Sequence, residues 1–191
     1  HNLAVKLSNG EGVFKNERAG AGWWQKAAEQ GYTMSQHSVG VLYENGFGVT
    51  KDPQQAAAWY LKAAEQGNSD AQFNLGAMNE HGAGIPVNYV EAARWYRPAA
   101  EVGDVDALSN LGVLYERGQG VPQDKILAMA LYNTSVGYSQ NSNVQAARNR
   151  QSLANRMPLD DVKKSLTLTE ELLKPGNLKP ALQTYLKQLK P

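Results

Sequence analysis

Three observations predict an all-α chain, a solenoid of helix–turn–helix units 36 residues long that is closed by non-repeat helices at its C-terminal end. The first is a period. Between Asn74 and Gly103 the landmarks are Leu75-Gly76, Gly82-Ala83-Gly84-Ile85, Asn88, Ala92, Trp95-Tyr96, Ala99-Ala100 and Gly103. Thirty-six residues earlier they are Val39-Gly40, Gly46-Phe47-Gly48-Val49, Asp52, Ala56, Trp59-Tyr60, Ala63-Ala64 and Gly67. Thirty-six later they are Leu111-Gly112, Gly118-Gln119-Gly120-Val121, Asp124, Ala128 and Leu131-Tyr132. A further copy at the start reads Leu3-Ala4, Gly10-Glu11-Gly12-Val13, Asn16, Gly20, Trp23-Trp24, Ala27-Ala28 and Gly31. A period held without insertion over about 140 residues means units stacked on their neighbours. The second observation is helical spacing within each unit: Ala107, Leu111, Gly112 and Tyr115 fall on one helical face, as Ser35, Val39, Gly40 and Tyr43 do one copy earlier. The third is glycine punctuation at fixed offsets, with no intervening strand pattern.

Taken in order, the chain opens at His1 without a methionine and inside a repeat, and is read as cropped there. The expected organisation is a partial repeat over 1–34, repeats over 35–70, 71–106 and 107–142, and closing helices over 143–191. The first helix of each unit is expected near 34–45, 70–81 and 106–117, with Asn68 and Asp104 as caps. Gly46 and Gly48, Gly82 and Gly84, and Gly118 and Gly120 end it and reverse the chain. The second helix starts from Asn16, Asp52, Asn88 or Asp124, four cap-competent residues at one equivalent position, with Pro53 suited to a first turn. Ala56, Ala92 and Ala128 permit close helix approach, while Trp23, Trp59 and Trp95 are expected to fill the space between layers. Two antiparallel helices per unit give a right-handed superhelix of the tetratricopeptide kind. After Asn141 the period dissolves into helices over 144–156, 160–173 and 178–189, the second with Val162, Leu166 and Leu173 among its apolar positions.

These landmarks resemble the Sel-1-like repeat, a 36-residue relative of the tetratricopeptide repeat, over about residues 1–139. The pattern is specific because some ten positions recur at fixed offsets. It departs at Asn79, which stands where Tyr43 and Tyr115 do; at Leu131, which replaces the tryptophan; and at Gly137, two residues early relative to Gly103. Asn79 is read either as a polar residue on a ligand-facing surface or as a weakened core position. The resemblance implies an adaptor, of bacterial origin and with an envelope or secreted location, whose partner differs by member.

Composition narrows the chemistry. Lys plus Arg number 19 against 18 acidic residues, so no strong non-specific attraction to nucleic acid is expected. The balance is uneven: residues 1–142 carry 10 basic and 14 acidic side chains, residues 143–191 carry 9 and 4. Solvated helix faces explain this basic tail more simply than a polyanion site does. With no cysteine, disulfides and thiolate metal sites are excluded. No apolar run is long enough to span a bilayer, so no membrane insertion is expected. None of the three histidines has metal-ligand spacing; His37 and His81 read as surface or helix-end residues. The glycine pairs follow no strand and precede no Lys-Ser/Thr, so they are turns rather than phosphate loops. No serine-nucleophile motif occurs. Neither a catalytic residue, a metal nor a cofactor is expected.

What the chain offers is a surface. The expected function is a non-catalytic scaffold that binds a protein or peptide in a concave groove lined by the first helix of each unit. Ser38, Asn74 and Asn110 form one equivalent row suited to a peptide backbone. Glu44, Glu80 and Glu116 form a second, suited to a basic partner or simply to helix solubility; Asn45, His81 and Arg117 form a third, and Asn79 adds a fourth position. Gly46, Gly48, Gly82, Gly84, Gly118, Gly120, Trp59 and Trp95 are expected to be structural. The alternatives are a helical protein that binds or hydrolyses a small ligand such as a cell-wall fragment, and a weakly self-associating array.

Overall fold

A computed structural model describes residues 1–10, 16–140 and 142–189. The expected turn residues Glu11, Gly12 and Val13 lie outside the described residues, as does Asn141. The described residues form eleven α-helices: α1 Asn2–Asn9, α2 Glu17–Glu29, α3 Thr33–Asn45, α4 Pro53–Glu65, α5 Ser69–His81, α6 Tyr89–Glu101, α7 Val105–Arg117, α8 Lys125–Tyr138, α9 Val144–Ala154, α10 Leu159–Leu173 and α11 Leu178–Gln188. The chain divides into two compact units, His1–Asn88 and Tyr89–Pro191. In the first, α1 to α5 pack in chain order, each on the next. In the second, α6 packs on α7 and α7 on α8; α9 and α10 both pack on α8, and α11 rests on α10 and α6.

The caps are where the residue types require them. The Asn16, Asp52 and Asp124 side chains accept from amides in the first turns of α2, α4 and α8, and Asn68 and Asp104 do so for α5 and α7. Each such cap is worth about 1 kcal/mol. The cap residue of the second helix also closes the turn behind it: Asn16, Asp52, Asn88 and Asp124 donate their backbone N–H to Leu7, Tyr43, Asn79 and Tyr115. Gly46, Gly82 and Gly118 end their helices in the left-handed conformation.

The second glycine of each pair has a further role. A Cβ at Gly48 would lie 2.7 Å from the Glu17 backbone, at Gly84 2.8 Å from that of Pro53, and at Gly120 2.2 Å from that of Tyr89. Glu17, Pro53 and Tyr89 each begin the second helix of the preceding repeat. The turn glycine is thus the point at which one repeat touches the backbone of the last.

The aromatic core differs from expectation. Trp23 is 46% exposed and Trp59 half-buried, whereas Tyr60, Tyr96 and Tyr132, one residue further along the helix, are fully buried. Lys62 lies 3.8 Å from the centroid of Trp59 and Lys26 4.9 Å from that of Trp23, so these indoles carry cations on an outward face. Only Trp95 is buried. The tyrosine ring also explains the Gly40 and Gly112 positions: a Cβ there would come within 2.5 and 2.7 Å of the Tyr60 and Tyr132 rings.

One C-terminal expectation is corrected. In α10 the buried face is Ser165, Thr169 and Leu172, while Leu166 and Leu173 are exposed. The two small polar residues are satisfied by their own helix, Ser165 donating to Val162 O and Thr169 to Ser165 O. Gly137, the departure noted in the fourth repeat, lies inside α8, which continues to Tyr138, and gives room to Leu173 of α10.

Asn79 is a core position. It is 7% exposed and returns its amide to Leu75 O of its own helix at 2.8 Å. At the equivalent sites Gln25 donates to the Tyr43 hydroxyl at 2.9 Å and Arg97 to that of Tyr115 at 3.4 Å. In this copy both partners change, to Leu61 and Asn79, and the inter-repeat bond is missing. Restoring the pair with Leu61→Gln and Asn79→Tyr together is expected to stabilise the protein by about 1 kcal/mol. Urea denaturation reads this directly; a loss of stability would mean that α4 and α5 have no room for the ring.

Candidate functional site

The expected partner-binding rows occupy the first helices α3, α5 and α7, and most of their polar ends are already engaged. Asn110 Nδ2 donates to the Tyr96 hydroxyl at 3.2 Å, from the first helix of one repeat to the second helix of the one before. Asn74 Nδ2 lies 3.3 Å from His37 Nε2, and Ser38 donates to Met34 O at 2.8 Å. In the glutamate row, the Tyr60 hydroxyl donates to Glu44 at 2.5 Å and that of Tyr132 to Glu116 at 2.8 Å. Glu116 also receives Arg156 of the segment following α9 at 2.6 Å. Burial and the neighbouring carboxylate push the Tyr60 and Tyr132 phenols far above their ordinary range, so both remain donors.

Asn74 and Asn110 therefore join one repeat to the one before, and Glu44 and Glu116 tie together the two helices of their own repeat, rather than forming an open polar rim. Glu80 is half-buried, and Asn79, being buried, offers nothing to a partner. Asn45, His81 and Arg117 are exposed at the helix ends, Asn45 with its amide on Val41 O.

One opening persists on this side. A cavity of about 510 Å³ lies in the first unit between α1 and α3, lined by Ser8, Asn9, Glu17, Trp24, His37, Ser38, Val41, Leu42 and Phe47. Phe47 is 53% exposed. Two buried polar atoms of the lining residues, Ser8 Oγ and the indole Nε1 of Trp24, have no hydrogen-bond partner. Sequence reasoning selected Ser38 here but missed Trp24 and Phe47. Trp24 stands where the other copies have the fully buried tyrosine, and that departure was the available signal.

His37 bridges this cavity and the inter-repeat bond to Asn74, and its ring lies 5.6 Å from that of Tyr60. Burial lowers its pKa, outweighing the opposing fields of Asp70 and Glu44. The folded protein thus binds fewer protons at this site than the unfolded chain, so stability should fall as pH drops below about 6.5 towards the lowered value. Comparing His37→Gln with the parent between pH 7 and 5 checks this. The parent is expected to lose more stability than the variant, and equal losses would exclude His37 as the source.

No cluster of His, Asp and Glu that could hold a metal ion occurs among the described residues, and no described helix is long and apolar enough to cross a membrane. The basic tail is largely paired: Arg156 with Glu116, Lys163 with Asp160, Lys164 with Asp161, Lys174 with Glu171 and Lys179 with Glu101. That arrangement favours solvated helix faces over a polyanion site.

Comparison with known proteins places this geometry. The family model described as the Sel1 repeat matches residues 1–32, 33–68, 69–104 and 105–135. Among solved structures, that of a Sel1 repeat protein from Oxalobacter formigenes is similar, with 33% identity and a TM-score of 0.74 over 87% of this chain and 71% of that one. The structure of c5321, described as a protective antigen of uropathogenic Escherichia coli strains displaying an SLR fold, matches with 26% identity and a TM-score of 0.55. That match takes in all of this chain and 48% of the antigen. No curated protein matches.

Proposed function

Because the chain belongs to the Sel1 repeat family, matched by four successive repeats, we propose that it is a non-catalytic scaffold binding a protein partner on the side lined by the first helix of each repeat. The observation that carries this reading is the cavity between α1 and α3, where Trp24, Val41, Leu42 and Phe47 supply apolar wall amid a few polar groups. Apolar walls with a small number of oriented polar groups are the usual make-up of a binding site.

A hydrolytic role would need an activated nucleophile. His37 Nε2 is engaged by Asn74, and the Ser38 hydroxyl donates to its own helix, so neither supports a serine–histidine pair.

The test is site-specific photo-crosslinking in the source cell. A photoreactive phenylalanine analogue replaces Phe47 or, as a control, the exposed Glu29 of α2. A discrete heavier adduct from position 47 and none from position 29 is the expected result. Absence of adducts from both, or the same adducts from both, would overturn the reading.

A further inference from the structure

The C-terminal helices leave a cleft that the repeats do not. Both α9 and α10 pack on α8 rather than on each other, and between the three lies a cavity of about 250 Å³. Each helix lines it with two residues four apart: Met129 and Asn133 from α8, Arg150 and Ala154 from α9, Val162 and Leu166 from α10. Apolar side chains thus dominate the walls, and Leu166, 49% exposed, leaves them open to solvent.

Arg150 has no role in the fold that its surroundings explain. Seven residues after their caps, α3, α5 and α7 have Val39, Leu75 and Leu111, all buried. Counted in the same way from Asn143, α9 has Arg150. It is half-buried and, among the described residues, makes neither an ion pair nor a hydrogen bond. Nearby charges are already matched, Arg156 with Glu116, Asp160 with Lys163 and Asp161 with Lys164. Its head is not sealed away either: the buried polar atoms without a partner belong to Ser8, Trp24, Arg97 and Gln119. The other polar groups of the cleft are spent, Asn133 donating to Thr169, Gln151 to Asn155 and Ser165 to Val162 O. What remains is one accessible guanidinium, a planar fork of donors, beside apolar walls. A carboxylate matches that fork, and the attraction is stronger in a cleft than in bulk water. The volume falls short of the ~300 Å³ at which ordinary ligand pockets begin, so one small group fits.

We propose that this cleft binds a single carboxylate carried on a short aliphatic body, Arg150 taking the carboxylate and Met129, Val162 and Leu166 the body. A phosphate dianion would meet one cation and no free neutral donor, and an ammonium ion would be repelled. The carboxylate belongs either to a free acid or to the end of a polypeptide, which present the same group. The proposal stands apart from the scaffold reading, whose cavity lies in the first unit.

Titration of the ¹⁵N-labelled full chain, followed at the Arg150 Nε–H signal in ¹H–¹⁵N spectra, tests this. The probes are 4-methylpentanoate, N-acetyl-Ala-Ala-Leu, the amide of each, and inorganic phosphate. The free acid is expected to bind with a Kd on the order of 1 mM, as its size allows, and to shift Arg150. Its amide and phosphate should bind at least about tenfold more weakly, and Arg150→Gln should weaken the acid by a similar factor. Arg150→Leu, which restores the residue type of the repeats, is expected to abolish binding with Tm unchanged or raised. A tripeptide tighter than the free acid, with its amide inactive, assigns the site to a chain end. The reverse order assigns it to a free acid, and both orders support the carboxylate. Equal binding of acid and amide, phosphate as tight as the acid, or no shift at Arg150 up to about 20 mM acid would overturn the proposal. A markedly lower Tm in Arg150→Leu would also overturn it, because the arginine would then serve the fold.

Discussion

Gly120→Ala is expected to destabilise the protein by about 4 kcal/mol, whereas Gly67→Ala should cost only about 1 kcal/mol. Both glycines have positive φ, +70° and +87°, so the conformational penalty of adding a side chain is similar at the two sites. They differ in surroundings. A Cβ at Gly67 meets nothing within 4 Å, but at Gly120 it would sit 2.2 Å from the carbonyl carbon of Tyr89. The obstacle there is backbone at the first residue of α6, which cannot swing aside as a flexible side chain would, so α6 and the turn must separate. Urea denaturation of the two variants isolates the difference, with the slope of the transition watched because repeat arrays can unfold in stages. Equal losses would show that the turn glycine serves only its own loop.

Tyr60→Ala is expected to cost about 3–5 kcal/mol, and Trp23→Ala less than about 1 kcal/mol. Residue size alone ranks them the other way. The tyrosine ring is fully buried against the backbone at Gly40 and its hydroxyl donates to Glu44, so truncation opens a cavity and strips a half-buried carboxylate of its donor. Tyr60→Phe separates the two parts: it keeps the ring and should lose about 1.5–3 kcal/mol, the range for a hydrogen bond to a charged group. Trp23 loses only half of a side chain's packing and a cation over its face. If thermal or urea unfolding gave the tryptophan the larger effect, the tyrosine would not be the centre of the repeat core.

The helices, their caps and the period were legible because they depend on local rules: an amide acceptor at Asp52 or Asp104, a left-handed glycine at Gly46 or Gly82, and alanines where helices meet. Register across the helix was less legible. Trp59 and Tyr60 are adjacent and both large, and only the packed structure shows which one faces inward. In α10 the core faces Ser165 and Thr169, whose hydroxyls are satisfied within the helix, so polarity misled. The asparagine and glutamate rows were found as rows, but a repeated polar side chain is equally what a repeated joint requires. Period alone cannot distinguish the two, since every joint and every groove recurs at 36 residues. Trp24 and Phe47 depart from the other copies, which have tyrosine at the first position and glutamate, alanine or glutamine at the second, but sequence alone does not show that both departures border one cavity.

The second partner at Glu116 limits how such a chain can grow. In the first unit, Glu44, Tyr60 and Asn74 form a joint whose pieces come from consecutive repeats, so a repeat copied in register brings its own half of the next joint. After the last repeat the position 36 residues on from Asn110 is Ala146, fully buried, and Glu116 holds Arg156 in addition to the Tyr132 hydroxyl. A duplication inside the array can be accepted as it stands, but one appended after the last repeat would strand Arg156 from its acid and leave Ala146 against a new tyrosine. Lengthening by recombination is therefore expected to fall before Glu116 and to keep residues 143–189 with the last repeat as one block.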